Sequence, residues 1–155
     1  MIPCAVELTI PAREDMLLIA RMALSGVCVR CGFSLDDVED ARIAADEACY
    51  CLMHQRESVA SLRMTCQWDD TRLSIAFDAI RERRESSAPV AEFDPAQSDE
   101  SDQLGESDQA ALARSILETL VTSAKLSVGA FGVYSIQMEI DYKTHAANAP
   151  PDRDS

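Results

Sequence analysis

The sequence predicts an α+β domain, a two-layer sandwich with helices on one face of a mostly antiparallel, mixed sheet. Three observations lead there. Several short stretches alternate apolar and polar side chains, the period of a half-buried strand. Longer ones repeat apolar residues at helical spacing. Turn-forming residues separate the two kinds in the order β, α, α, β, β, loop, α, β, β.

AVELTI (Ala5 to Ile10) alternates as a strand, and Pro11 closes it because proline has no N–H to donate. From Glu14 to Cys31 the apolar positions Leu17, Leu18, Met22, Leu24, Val27 and Cys28 fit a helical stripe, with Asp15 near the first turn and Gly32 just past the end. Ser34 is the expected N-cap of a second helix reaching about Gln55, and Asp36 and Asp37 complement its dipole. Its inner face reads Val38, Ala41, Ala45, Ala48 and Leu52, with Ile43 and Ala44 alongside. SLRMTCQW and RLSIAFDAI alternate around Asp69, Asp70 and Thr71 and predict an antiparallel hairpin.

Between Arg81 and Asp108 the periodicity is lost in a proline-, serine- and acid-rich stretch that buries too little apolar surface to order itself. Gln109 to Ala124 returns to a helical stripe through Leu112, Ile116, Leu117 and Leu120, capped by Ser107 or Asp108. KLSVGAFGVYSIQMEIDYK supplies two more strands with Gly129 to Gly132 at the turn. One domain is expected over 1–143, with 85–108 a mobile acidic loop and 144–155 a flexible tail.

A chain of 155 residues buries roughly two thirds of its unfolded surface and needs no disulfides to fold. Its net charge of −13 repels phosphate backbones and anionic headgroups, which argues against nucleic acid and membrane partners and favours a basic protein. No stretch approaches the roughly 20 apolar residues of a membrane span, and the opening MIPCAVELTIPARED lacks a secretion pattern, so the cytoplasm is expected. There the six cysteines are expected as free thiols.

DEACYCLMH (Asp46 to His54) concentrates side chains capable of chemistry. At 100° per residue Glu47, Cys51 and His54 approach one helix face, while Cys49 lies about 200° from Glu47. A metal helix or a Cys51 nucleophile with His54 as base is conceivable, but no further ligand or orienting acid accompanies them. A plain buried helix is the preferred reading. Cys28-Val-Arg-Cys31 has the spacing of a zinc or redox pair without the second pair such sites need, and packing is preferred there too.

The element order, together with VELTIPA, LSGVCVRCGFS, DDVEDARIAADEAC and SILETLV, resembles the anti-sigma factor serine kinases, which have the histidine kinase-like (GHKL) ATPase fold. The likeness runs from about Val6 to Tyr142 and is densest from Leu35 to Cys49. It implies a cytoplasmic bacterial transcription regulator, generally a homodimer, that holds a sigma factor away from RNA polymerase. It also implies use of magnesium and ATP to phosphorylate a serine of an anti-sigma antagonist.

In the family's first nucleotide motif a helix carries a Glu that serves as general base and, four residues later, an Asn that holds magnesium. Glu47 matches the Glu, and Cys51 stands at the Asn position. The second motif ends a strand with an Asp that accepts the adenine amino group, followed by glycines; Asp78 matches the Asp, and Ala79, Ile80, Arg81 and Glu82 replace the glycines. The third is a glycine-rich phosphate cradle before the last helix, where QAALARSILETLV has none. These departures predict an anti-sigma-like regulator that binds proteins and has weak or lost ATP binding. The alternative is an active protein serine kinase with Glu47 catalytic and Asp78 on the nucleotide.

Overall fold

The computed structural model describes residues 4–55, 57–81 and 108–141. The expected tail and, apart from Asp108, the expected acidic loop lie outside them. Strands β1 (Cys4–Pro11), β2 (Ser61–Trp68), β3 (Arg72–Ile80), β4 (Ser123–Gly129) and β5 (Gly132–Asp141) form one sheet in the order β1-β2-β3-β5-β4. Helices α1 (Leu17–Arg30), α2 (Leu35–Met53) and α3 (Asp108–Leu120) make the second layer, α1 being entered through a 3-10 turn at Glu14–Met16.

The two-layer α+β class is as expected, and among the described residues every neighbouring strand pair is antiparallel, so the sheet shows no parallel pair that would make it mixed. The connections explain it. Two hairpins join β2 to β3 and β4 to β5, and the antiparallel pair α1 and α2 returns the chain to the end of the sheet where β1 finished. Alternation then sorts the side chains. Leu62, Met64 and Cys66 of β2, Leu73, Ile75 and Phe77 of β3, and Ile136, Met138 and Ile140 of β5 are buried beneath the helices. The residues between them lie on the opposite, uncovered face.

The β2–β3 turn is tied by the Asp69 carboxylate, which accepts the backbone N–H groups of Thr71 at 2.7 Å and Arg72 at 3.0 Å. The Thr71 hydroxyl first, and those backbone bonds after it, hold its pKa below the usual carboxylate value.

Several expectations about faces and ends are corrected. α1 buries Ala20, Leu24, Val27 and Cys28, whereas Leu18 and Met22 of the expected stripe are exposed. Ile43 of α2 and Leu112 of α3 are exposed as well, and α3 packs through Ala110, Ala113 and Leu117. α3 ends at Leu120 rather than Ala124, because Thr122 leaves the helix to donate its N–H to Glu139 O at 2.9 Å and accept the Asp141 N–H on its hydroxyl at 3.0 Å. Those bonds to β5 place Ser123 and Ala124 in β4.

Candidate functional site

The expected site centres on α2. Ser34 begins the helix with a reciprocal cap: its hydroxyl accepts the Asp37 N–H at 3.2 Å, and the Asp37 carboxylate accepts the Ser34 N–H at 3.3 Å. From this start the alanines Ala41, Ala44, Ala45 and Ala48 let the helix sit close against its neighbours. Glu47 is half-buried at the edge of that face, one turn before Cys51, which is fully buried.

Burial first, and the Glu47 carboxylate second, push the Cys51 thiol up to about 11. Cys51 is therefore a protonated thiol at neutral pH, with the Gln55 amide 3.9 Å from its sulfur. A neutral, soft sulfur does not suit magnesium, which takes hard oxygen ligands. As the plain-helix reading expects, His54 is engaged away from the Cys51 thiol. His54 stacks on Tyr50 with ring centroids 3.9 Å apart, its Nδ1 lies 2.9 Å from Tyr50 O, and its Nε2 lies 3.9 Å from Glu14.

Asp78 stands elsewhere. Along β3 it follows buried Phe77 and precedes Ala79, which packs against the core, and its register partners are Arg63 and Ser135. The carboxylate thus lies on the uncovered face of the sheet, while Glu47 and Cys51 belong to a helix packed on the other face. The structure brings Glu47 and Cys51 together and separates Asp78 from both.

The end of α2, the end of β3 and the β4–β5 turn do converge, through residues that sequence reasoning passed over. Gln55 donates its side-chain N–H to Cys51 O and accepts the Val133 N–H on Oε1 at 3.3 Å. Gly132, with φ of +99°, makes this possible: a Cβ there would come 2.2 Å from Gln55 Oε1. Arg81, at a position where the resemblance expects glycine, pairs with Glu57 at 3.2 Å and donates to Phe131 O at 3.2 Å. Its guanidinium carbon sits 5.2 Å from the centroid of the Phe131 ring. Two side chains therefore bridge the three elements. The signals in sequence were a glycine within a tight turn and an arginine replacing a glycine, but neither names its partner.

A groove of about 560 Å³ opens on the uncovered face, lined by Thr65, Gln67, Ser74, Lys125, Gln137 and Glu139 among others. It lies across the sheet from Glu47 and Cys51. Among the described residues no group of three or more His, Cys, Asp or Glu is placed to hold a metal ion. All six cysteines are free thiols, and burial raises Cys28, Cys49 and Cys66 to about 12. No described helix is long and apolar enough to cross a membrane.

Among curated proteins the chain is 40% identical over 47 residues to the serine-protein kinase RsbW of Halalkalibacterium halodurans, a match covering 30% of this chain and 29% of that one. It is 35% identical over 72 residues to the serine-protein kinases RsbW of Bacillus thuringiensis and Bacillus anthracis, covering 45% of each chain. The chain thus spans less than half the length of these relatives. No protein-family model matches it. The partial likenesses support the anti-sigma factor kinase resemblance, and the two-layer α+β architecture is consistent with it.

Proposed function

We propose that this chain is an anti-sigma-like regulator of bacterial transcription that acts by binding proteins and binds ATP weakly or not at all. Its partners on this reading are a sigma factor, an anti-sigma antagonist or both, and it works in the cytoplasm as a homodimer. The likeness to RsbW and the family resemblance around α2 support the class. The observation that carries the loss of ATP chemistry is the buried, protonated Cys51 thiol beside Glu47, where a hard oxygen ligand is needed. Asp78 on the far face of the sheet, and the Gln55 and Arg81 bridges at the end of the site, support the same reading.

A second reading, a magnesium- and ATP-dependent protein serine kinase, is favoured by Glu47, which stays half-buried at the matching helix position, and by the name of the relatives. Purifying the full chain from its native host and identifying what accompanies it tests the first reading. A sigma factor or a small antagonist domain, retained whether or not ATP is added, is the expected result. A partner phosphorylated on serine and released by ATP would overturn it.

A further inference from the structure

Leu18, Met22 and Val29 of α1 are 55%, 61% and 64% exposed, and Ile43 and Tyr50 of α2 are 45% and 48% exposed. Their spacing makes them one surface. At 100° per residue the three α1 residues fall within about 40° of each other, and the two α2 residues within about 20°. Arg21 and Asp46 join the helices at 3.3 Å, and His54 lies 3.9 Å from Glu14, so α1 and α2 run antiparallel with Leu18 level with Tyr50. Leu18 sits one turn from Arg21 and Tyr50 one turn from Asp46, which places both beside that ion pair on the outer surface. α1 adds little polarity of its own there, since Ser25 turns its hydroxyl back onto Arg21 O at 2.7 Å.

Acids rim this apolar strip on two sides, Glu14 and Asp15 at one end and Asp36, Glu39, Asp40 and Asp46 along α2, while α1 itself carries none. Among the described residues the cations beside it are paired, Arg13 with Asp15 at 2.7 Å, Arg21 with Asp46 and Arg42 with Glu39 at 2.9 Å, which leaves Glu14, Asp36 and Asp40 as the rim carboxylates that no arginine engages. Arg30 points about 100° round α1 from Val29. An apolar strip with an acidic rim on two sides selects its occupant. A second copy would bring the same acids against these, and an anionic membrane or nucleic acid would be repelled.

We propose that the outer α1–α2 surface is the docking site for a basic amphipathic helix of a partner protein, whose apolar side chains seat on Leu18, Met22 and Tyr50 while its Lys or Arg residues meet the acidic rim. This rests on the protein-binding reading above and names the surface that serves it.

The test uses the full chain and three labelled 18-residue peptides, followed by fluorescence anisotropy. One peptide carries leucines on a single helical face with lysines elsewhere, one has the same composition in scrambled order, and one has glutamates for the lysines. The first is expected to bind, the scrambled one about tenfold more weakly, and the glutamate one not at all. Met22→Ser with Tyr50→Ser leaves the charge unchanged and should weaken the first peptide at least about tenfold, whereas Leu112→Ser on α3 should not. Equal binding of ordered and scrambled peptides, or binding indifferent to the paired substitution, would overturn the proposal. So would a dimer of the parent chain that the same substitution dissolves, since the occupant would then be a second copy. If the paired variant loses the peptide yet retains the partner recovered from the host, the docking site is wrong and the protein-binding reading stands. If the parent chain transfers phosphate from ATP, that reading fails whatever the peptides do.

Discussion

Gln55 ties α2 to the sheet through both ends of its side-chain amide. It links the last turn of α2 to the first residues of β5, and Gly132 is the backbone position that admits it. Replacing Gln55 by Ala leaves the Val133 N–H without its partner and should cost about 1 kcal/mol of stability in urea unfolding. Gly132→Ala should cost more, about 1–3 kcal/mol, because it adds a strained positive φ to a collision with Gln55. In a Gln55→Ala background the collision disappears and only the strain remains. The two substitutions together should therefore be less damaging than the sum of each alone, and strict additivity would contradict the bridge.

At the scale of the element, α2 depends on how it starts and what it buries. Ser34 and Asp37 cap each other across the first turn. Ser34→Ala should lower stability by about 1 kcal/mol, measured by thermal or urea unfolding, and an unchanged value would mean the cap is idle. The thiols report burial element by element. Cys4 at the exposed start of β1 should react with a thiol reagent first and Cys31, half-buried after α1, next. Cys28, Cys49, Cys51 and Cys66 should react only on unfolding; fast labelling of Cys51 in the folded chain would contradict its placement.

For the whole molecule, the same buried thiols set a dependence on pH. Well below pH 9 both folded and unfolded chains keep these protons. Between 9 and about 12 the unfolded chain ionises while the folded one holds Cys28, Cys49 and Cys66 protonated, so alkali favours unfolding. Stability should be level from pH 7 to about 8 and fall as pH rises through 9 and above, and a Cys49→Ala variant should fall less steeply.

The layered architecture was legible because alternation in β2 and β3, and the Ser34 cap of α2, are local signals that tertiary packing did not overrule. The inner face of α1 was not, since that helix is apolar nearly all round and spacing alone does not choose between the side with Leu24 and the side with Met22. Glu47 and Cys51 were legible as neighbours one helical turn apart. Asp78 could have been assigned to the uncovered face from the period of Leu73, Ile75 and Phe77, but a motif match looks at order and not at facing. Arg81 meeting Phe131, and Gln55 meeting Val133, are pairings between distant parts of the chain that no local pattern encodes.

The loss of ATP chemistry is the central claim, and calorimetric titration of magnesium-ATP into the full chain tests it most directly. The account predicts no binding tighter than millimolar, and no change on Glu47→Ala. Micromolar binding that disappears in Glu47→Ala or Asp78→Ala would contradict it, because the two carboxylates would then serve one nucleotide from the faces on which this structure separates them.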